Sequence, residues 1–120
     1  MKILIVDDVS PVRIKIKHYL TEIGDFQVDE AVSGRSALEM LKDDLSYNLV
    51  LMDWNMHDID GLTALKVIRK TESLKEIPAI MCTSVSRKED ILTCIQEGAT
   101  SYLLKPVSRE TLQKSLSLHA

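Results

Sequence analysis

Short apolar runs recur along the chain at Ile3 to Val6, Leu49 to Met52, Ala79 to Cys82 and Tyr102 to Leu104, with a weaker one from Val28 to Val32. All but the second in sequence are continuously apolar rather than alternating, the pattern of parallel strands covered on both faces. Val28 to Val32 interleaves acids and suits a sheet edge. Between the runs lie helical patterns with readable ends. The first opens with Ser10 as N-cap and Pro11 at the first helical position, and stops at Gly24. Another opens at Ser86, whose capping box closes at Glu89; it sets Ile91, Leu92 and Ile95 on one face and ends at Gly98. Further helices are predicted around Arg35 to Lys42, Leu62 to Glu72 and Arg109 to Leu118, with the apolar pairs Ala37 and Leu41, Leu62 and Leu65, and Leu112 and Leu116 about one turn apart.

Strict alternation of strand and helix predicts an α/β fold, an open five-stranded parallel sheet with right-handed crossovers and helices on both faces; a closed barrel would need eight units. The chain has no linker, low-complexity segment or further repeat, and its 120 residues read as one domain spanning 1–120. With 45% hydrophobic and 28% charged residues the composition is that of an ordinary globular protein. A net charge of −3 and the lack of any dense Lys/Arg run give no reason to expect direct nucleic-acid binding. Only four apolar residues precede Asp7 and Asp8, too few for a signal-peptide core or a span, so no membrane partner is expected and the chain is placed in the cytoplasm. Cys82 and Cys94 are too far apart for a CxxC pair and read as reduced core residues. His18, His57 and His119 are scattered, which argues against a metal centre of paired histidines.

In open parallel sheets function gathers outside the carboxyl ends of the strands, where the strand order reverses. Those ends carry Asp7 and Asp8 after the first strand, Asp53 after the third, Thr83 and Ser84 after the fourth, and Lys105 followed by Pro106 after the fifth. Three carboxylates brought together repel one another, and Lys105 alone cannot balance them. All-oxygen ligands select a hard cation such as Mg²⁺. Mg²⁺ uses few carboxylates plus substrate phosphate, so the set implies a phosphorylated partner. An aspartate beside the metal can attack phosphorus and form an aspartyl phosphate, with Lys105 screening the phosphoryl oxygens and Thr83 donating a hydrogen bond to one of them. Taken singly, each residue has a plainer reading, because loops after strands are polar wherever they are wet. Their joint appearance in this order carries the inference.

The stretches ILIVDD at 3–8, DWNMHDIDG at 53–61, CTS at 82–84 and YLLKP at 102–106 resemble, over the whole chain, the response-regulator receiver domains of two-component signalling, CheY-like chemotaxis regulators in particular. The resemblance implies the flavodoxin-like strand order 2-1-3-4-5. It makes Asp53 the phosphoacceptor and a metal ligand, Asp8 a direct Mg²⁺ ligand, Asp7 a ligand mainly through water, and Asn55 a donor of its backbone carbonyl, with Mn²⁺ as an alternative ion. Thr83 and Lys105 match the phosphoryl-sensing hydroxyl and the counter-ion. Tyr102 matches the switch aromatic; the plainer alternative is a strand aromatic that merely packs. Lys105 to Pro106 matches a cis peptide.

The implied partners are a sensor histidine kinase and a downstream protein that docks on helix 4, strand 5 and helix 5, over Ser86 to Glu97, Tyr102 and Arg109 to Leu118. Such a protein is a switch that catalyses only its own phosphorylation and slow autodephosphorylation. Three positions depart from the family pattern. His57 stands where proline is usual, which makes that loop freer and introduces an imidazole, although a tolerated loop substitution is the simpler reading. Val85 replaces a polar residue and cannot orient an attacking water, leaving the phosphoryl lifetime open. Val107 replaces a common aromatic, a packing change.

Two other classes compete. A haloacid-dehalogenase-type phosphatase needs a second Asp two residues after its nucleophile, where Asn55 stands, and its nucleophile follows the first strand. A flavodoxin-like carrier of a phosphate-bearing cofactor wants backbone N–H groups after the first strand, where Asp7 and Asp8 repel phosphate. The last helix is slightly short beside stand-alone regulators, which leaves open a receiver cut from a longer regulator with an effector domain.

Overall fold

The two faces of the three central strands bury into different cores, which is why those runs are apolar throughout, whereas in the last run only Leu103 is buried and Tyr102 and Leu104 are exposed. The computed structural model describes residues 1–84 and 87–119. Among these residues the elements are β1 (Lys2–Val6), α1 (Ser10–Ile23), β2 (Gln27–Ala31), α2 (Gly34–Asp43), β3 (Leu49–Asp53), α3 (Gly61–Lys70), β4 (Ala79–Thr83), α4 (Lys88–Gln96), β5 (Ser101–Leu104) and α5 (Arg109–His119). The strands pair in parallel in the order β2-β1-β3-β4-β5. Leu4, Val6, Val50, Met52, Ala79 and Met81 join Leu41, Leu65, Ile68 and Cys94 in the core beneath α2, α3 and α4. Their strand neighbours Ile3, Ile5, Leu49, Leu51, Ile80 and Cys82 join Ile16, Leu20, Leu112 and Leu116 beneath α1 and α5. Both cysteines are free and buried, as their spacing suggested. Among the described residues no helix is long and apolar enough to cross a membrane.

One local reading needs correction. Ser10 is not the cap of α1. Val9 occupies the cap position without a side-chain cap bond, and Pro11 falls one residue further into the helix. The cause is the turn out of β1, where the Asp7 carboxylate accepts the Val9 N–H at 2.9 Å and starts the helix early. The capping box at Ser86 lies outside the described residues, as does Val85; α4 runs from Lys88 with Arg87 at its cap. Its buried residue is Cys94, whereas Leu92 and Ile95 are exposed and Ile91 only half-buried. The helix packs beside β5, one of the two edge strands of the sheet.

Glycine is required at two positions, Gly61 in the turn after β3 at the carboxyl end of the sheet and Gly98 before β5 at its amino end. At Gly61 the N–H donates to the Trp54 carbonyl at 2.7 Å, and an added Cβ would lie 2.2 Å from the Asp53 carbonyl oxygen. At Gly98, φ is +105°, and Arg69 packs against it while donating to its carbonyl at 2.8 Å. Gly61→Ala is therefore expected to cost on the order of 2 kcal/mol in chemical denaturation. Gly24→Ala, where the added carbon meets only the Phe26 ring at 3.1 Å, should cost far less. Equal losses for the two would contradict this account of the β3–α3 turn.

Candidate functional site

β1 sits between β2 and β3, so the chain leaves it one way and returns on the other side, opening a crevice above the ends of β1 and β3. Val6 pairs with Met52, so the residues that follow Val6 rise against Asp53. One carboxylate oxygen from each of Asp7, Asp8 and Asp53 lies within 4.8 Å of the other two. The Lys105 Nζ reaches in from the end of β5, 2.9 Å from Asp53 Oδ1 and 2.9 Å from Asp7 Oδ2. The Lys105 N–H donates to the Thr83 carbonyl at 2.8 Å, which fixes the lysine backbone beside the end of β4. The Lys105–Pro106 peptide is cis.

Side chains that the sequence scatters from position 7 to position 105 thus meet at one point. Thr83 adjoins them, buried at the end of β4. The Asn55 N–H makes a long contact of 3.4 Å to Asp53 Oδ1. Tyr102 lies apart on β5, 37% exposed, and belongs to neither core.

Three supports of the site were not legible in the sequence. Arg13 on α1 donates to the Asp7 carbonyl at 2.8 Å and to Glu30 at 3.0 Å, bracing the turn after β1. Asp58 accepts from the N–H groups of Gly34 at 3.2 Å and Arg35 at 2.9 Å, tying the loop after β3 to the start of α2. Burial opposes ionisation of Asp58, yet the backbone N–H groups of Arg35, Ile59 and Gly34 hold its carboxyl down at about 2. Asp60 caps α3 by accepting the Thr63 N–H at 2.8 Å. Beside the Asp58 anchor His57 projects outward, with Nε2 3.4 Å from Asp8 Oδ2. His57 follows Asp53 by four positions in sequence, and only the fold of the loop brings it to Asp8.

The electrostatics leave the pocket short of positive charge. Burial, reinforced by the charge of Asp7, raises the Asp53 pKa above the usual carboxylate range even though the Lys105 hydrogen bond opposes it. Burial works against the Lys105 ammonium, but hydrogen bonds to Asp53 and Asp7 outweigh it and raise its pKa. Burial pushes the Cys82 thiol up to about 12, so the sulfur next to the site is no nucleophile. A set of clustered carboxylate oxygens with one ammonium has the donor chemistry of a hard divalent cation.

The family model of the response regulator receiver domain matches residues 3–117. The chain belongs to that family. Such receivers are phosphoacceptor switches rather than conventional enzymes; they bind Mg²⁺ at an acidic pocket, which the three aspartates here fit, and interact with histidine kinases and downstream targets. This receiver is 40% identical over 116 residues to the chemotaxis protein CheY-3 of Vibrio cholerae, covering 97% of this chain and 88% of that protein. It is 36% identical over 118 residues to the chemotaxis protein CheY1 of Helicobacter pylori, covering 98% and 95%. Among solved structures it matches the chemotaxis response regulator CheY4 of Vibrio cholerae with a TM-score of 0.91 at 31% identity, covering 99% and 98% of the two chains. A receiver domain of a signal transduction histidine kinase from Syntrophus aciditrophicus matches at 0.87 and 27%, covering 98% and 87%.

A raised Asp53 pKa has a defined sign for stability. The protonated acid fits the folded state better than the ion, so its favourable contribution is complete below the ordinary carboxylate pKa of about 4 and is lost as pH rises through the folded value. Asp53→Asn cannot ionise and is expected to be more stable than the parent at neutral pH in metal-free buffer, on the order of 1 kcal/mol. The gain should vanish in acid. Thermal unfolding across pH with a chelator present measures it, and a variant less stable at neutral pH would contradict the stated charge imbalance.

Proposed function

We propose that residues 1–120 form one receiver domain in which Asp53 accepts a phosphoryl group, from a histidine kinase phosphohistidine or a small acyl phosphate, in a Mg²⁺-dependent reaction. The observation that carries this reading is the junction of Asp7, Asp8 and Asp53 with Lys105 at the strand ends of a receiver fold. Asp8 and Asp53 would hold the ion directly, with the Asn55 backbone carbonyl, and Asp7 would do so through water. When bound, Mg²⁺ supplies positive charge to the phosphoryl oxygens.

An Asp53 carboxylate oxygen forms the new bond to phosphorus as the bond from phosphorus to the donor nitrogen or acyl oxygen breaks. The electron pair leaves with the donor. Lys105, already bonded to Asp53, follows the charge onto the phosphoryl oxygens. Thr83 donates its hydroxyl to one of them and signals the new state to Tyr102, which stands exposed and able to turn inward. Slow autodephosphorylation by water resets the switch.

Output passes to a partner protein over α4, β5 and α5. Supporting this, Leu92, Ile95, Tyr102 and Leu104 expose apolar surface there. The named chemotaxis relatives favour an output of that type, exerted from the cytoplasm.

Trp54, the only tryptophan, follows Asp53 directly. Its fluorescence is expected to change on addition of Mg²⁺ and again with acetyl phosphate. Asp53→Asn should abolish hydroxylamine-labile labelling from a radioactive phosphodonor. Lys105→Ala should still take label while losing most of the second fluorescence change. Undiminished labelling of Asp53→Asn would reject the assignment of the nucleophile.

A further inference from the structure

We propose that His57 is an additional ligand of the acidic pocket, giving it a preference for Zn²⁺ over Mg²⁺ well beyond that of the three carboxylates alone. The inference rests on the pocket being a metal site, as in the reading above, and adds which ions it selects and by which residue.

The first observation is a distance. Ligand atoms bonded at about 2.0–2.2 Å to one ion stand roughly 3.0–3.5 Å apart when their bonds meet between a right angle and the tetrahedral angle. His57 Nε2 stands 3.4 Å from Asp8 Oδ2, within that interval. The second is placement. Asp58, the next residue, is bonded to the N–H groups of Gly34 and Arg35, and Asp60 and Gly61 are bonded in turn to Thr63 and Trp54. The loop backbone therefore holds the imidazole at the pocket mouth. The ring itself is 98% exposed, so closing onto an ion would disturb no packing.

The third is donor chemistry. Imidazole nitrogen is a poor ligand for Mg²⁺, which takes oxygen and keeps its waters, and a good one for Zn²⁺. Proline, usual at this position in the family, offers no donor at all. The scattered sequence positions argue against paired histidines, and this arrangement has none. It is one histidine added to three acids. Without a transition ion, His57 Nε2 remains 3.4 Å from Asp8 Oδ2 and leaves the pocket to Mg²⁺.

The test is calorimetric titration of the full chain with Mg²⁺ and with Zn²⁺ separately, then Zn²⁺ in excess Mg²⁺, for the parent, His57→Ala and His18→Ala. His18 is the control because it lies beside Glu22 on exposed α1 and could hold Zn²⁺ on its own. The expected result is that His57→Ala lowers Zn²⁺ affinity at least about tenfold more than it lowers Mg²⁺ affinity, that His18→Ala does not, and that Mg²⁺ competes with the Zn²⁺. Nitrogen hyperfine coupling in the electron paramagnetic resonance of bound Cu²⁺, lost in His57→Ala, would give the ligand directly. An unchanged ratio of the two affinities in His57→Ala overturns the proposal, as does an apparent Zn²⁺ affinity that does not fall when Mg²⁺ saturates the pocket. If Mg²⁺-dependent labelling of Asp53 persists alongside either result, only the role of His57 falls. If Mg²⁺ neither binds nor supports labelling, the acidic pocket is not a metal site and both readings fall.

Discussion

Three carboxylates crowd one crevice of this fold with a single ammonium to offset them. Burial disfavours the charged form of Asp53, the charge of Asp7 adds to that, and together they outweigh Lys105 and raise the Asp53 pKa above the usual carboxylate range. A sheet that stacks four parallel strand ends side by side can impose such an arrangement, because the cores on its two faces leave those ends nowhere else to go. The cost falls on stability, and a divalent ion or a protonated Asp53 relieves it. Lys105 reaches two of the acids at once, so any group arriving at Asp53 must share the lysine with Asp7. This shared cation connects chemistry at β3 to the end of β5, the strand that carries Tyr102.

Much of this was legible in the sequence because continuous apolar runs separated by helical periods have few other solutions. Strand limits shifted by a residue at most, and the edge strand was recognised by its acids. The exposure of the apolar face of α4 was not legible, since periodicity reports that a stripe exists and not whether anything covers it. Leu92 and Ile95 belong to a helix at the sheet margin, where half the stripe meets solvent. The pocket acids and Lys105 could be listed in order because each follows a strand. Arg13, Asp58 and His57 could not, because their roles depend on where a loop turns and which distant N–H groups it meets.

The loop from Trp54 to Asp60 belongs to two helices as much as to its own strand. Asp58 closes the first turn of α2, and Asp60 closes that of α3. Its length is therefore a measured span between two fixed posts. Removing or adding a residue there would break the Asp58 bonds to α2 or the Asp60 cap of α3, so between these two aspartates and their helices the residue count is fixed even where other side chains can vary.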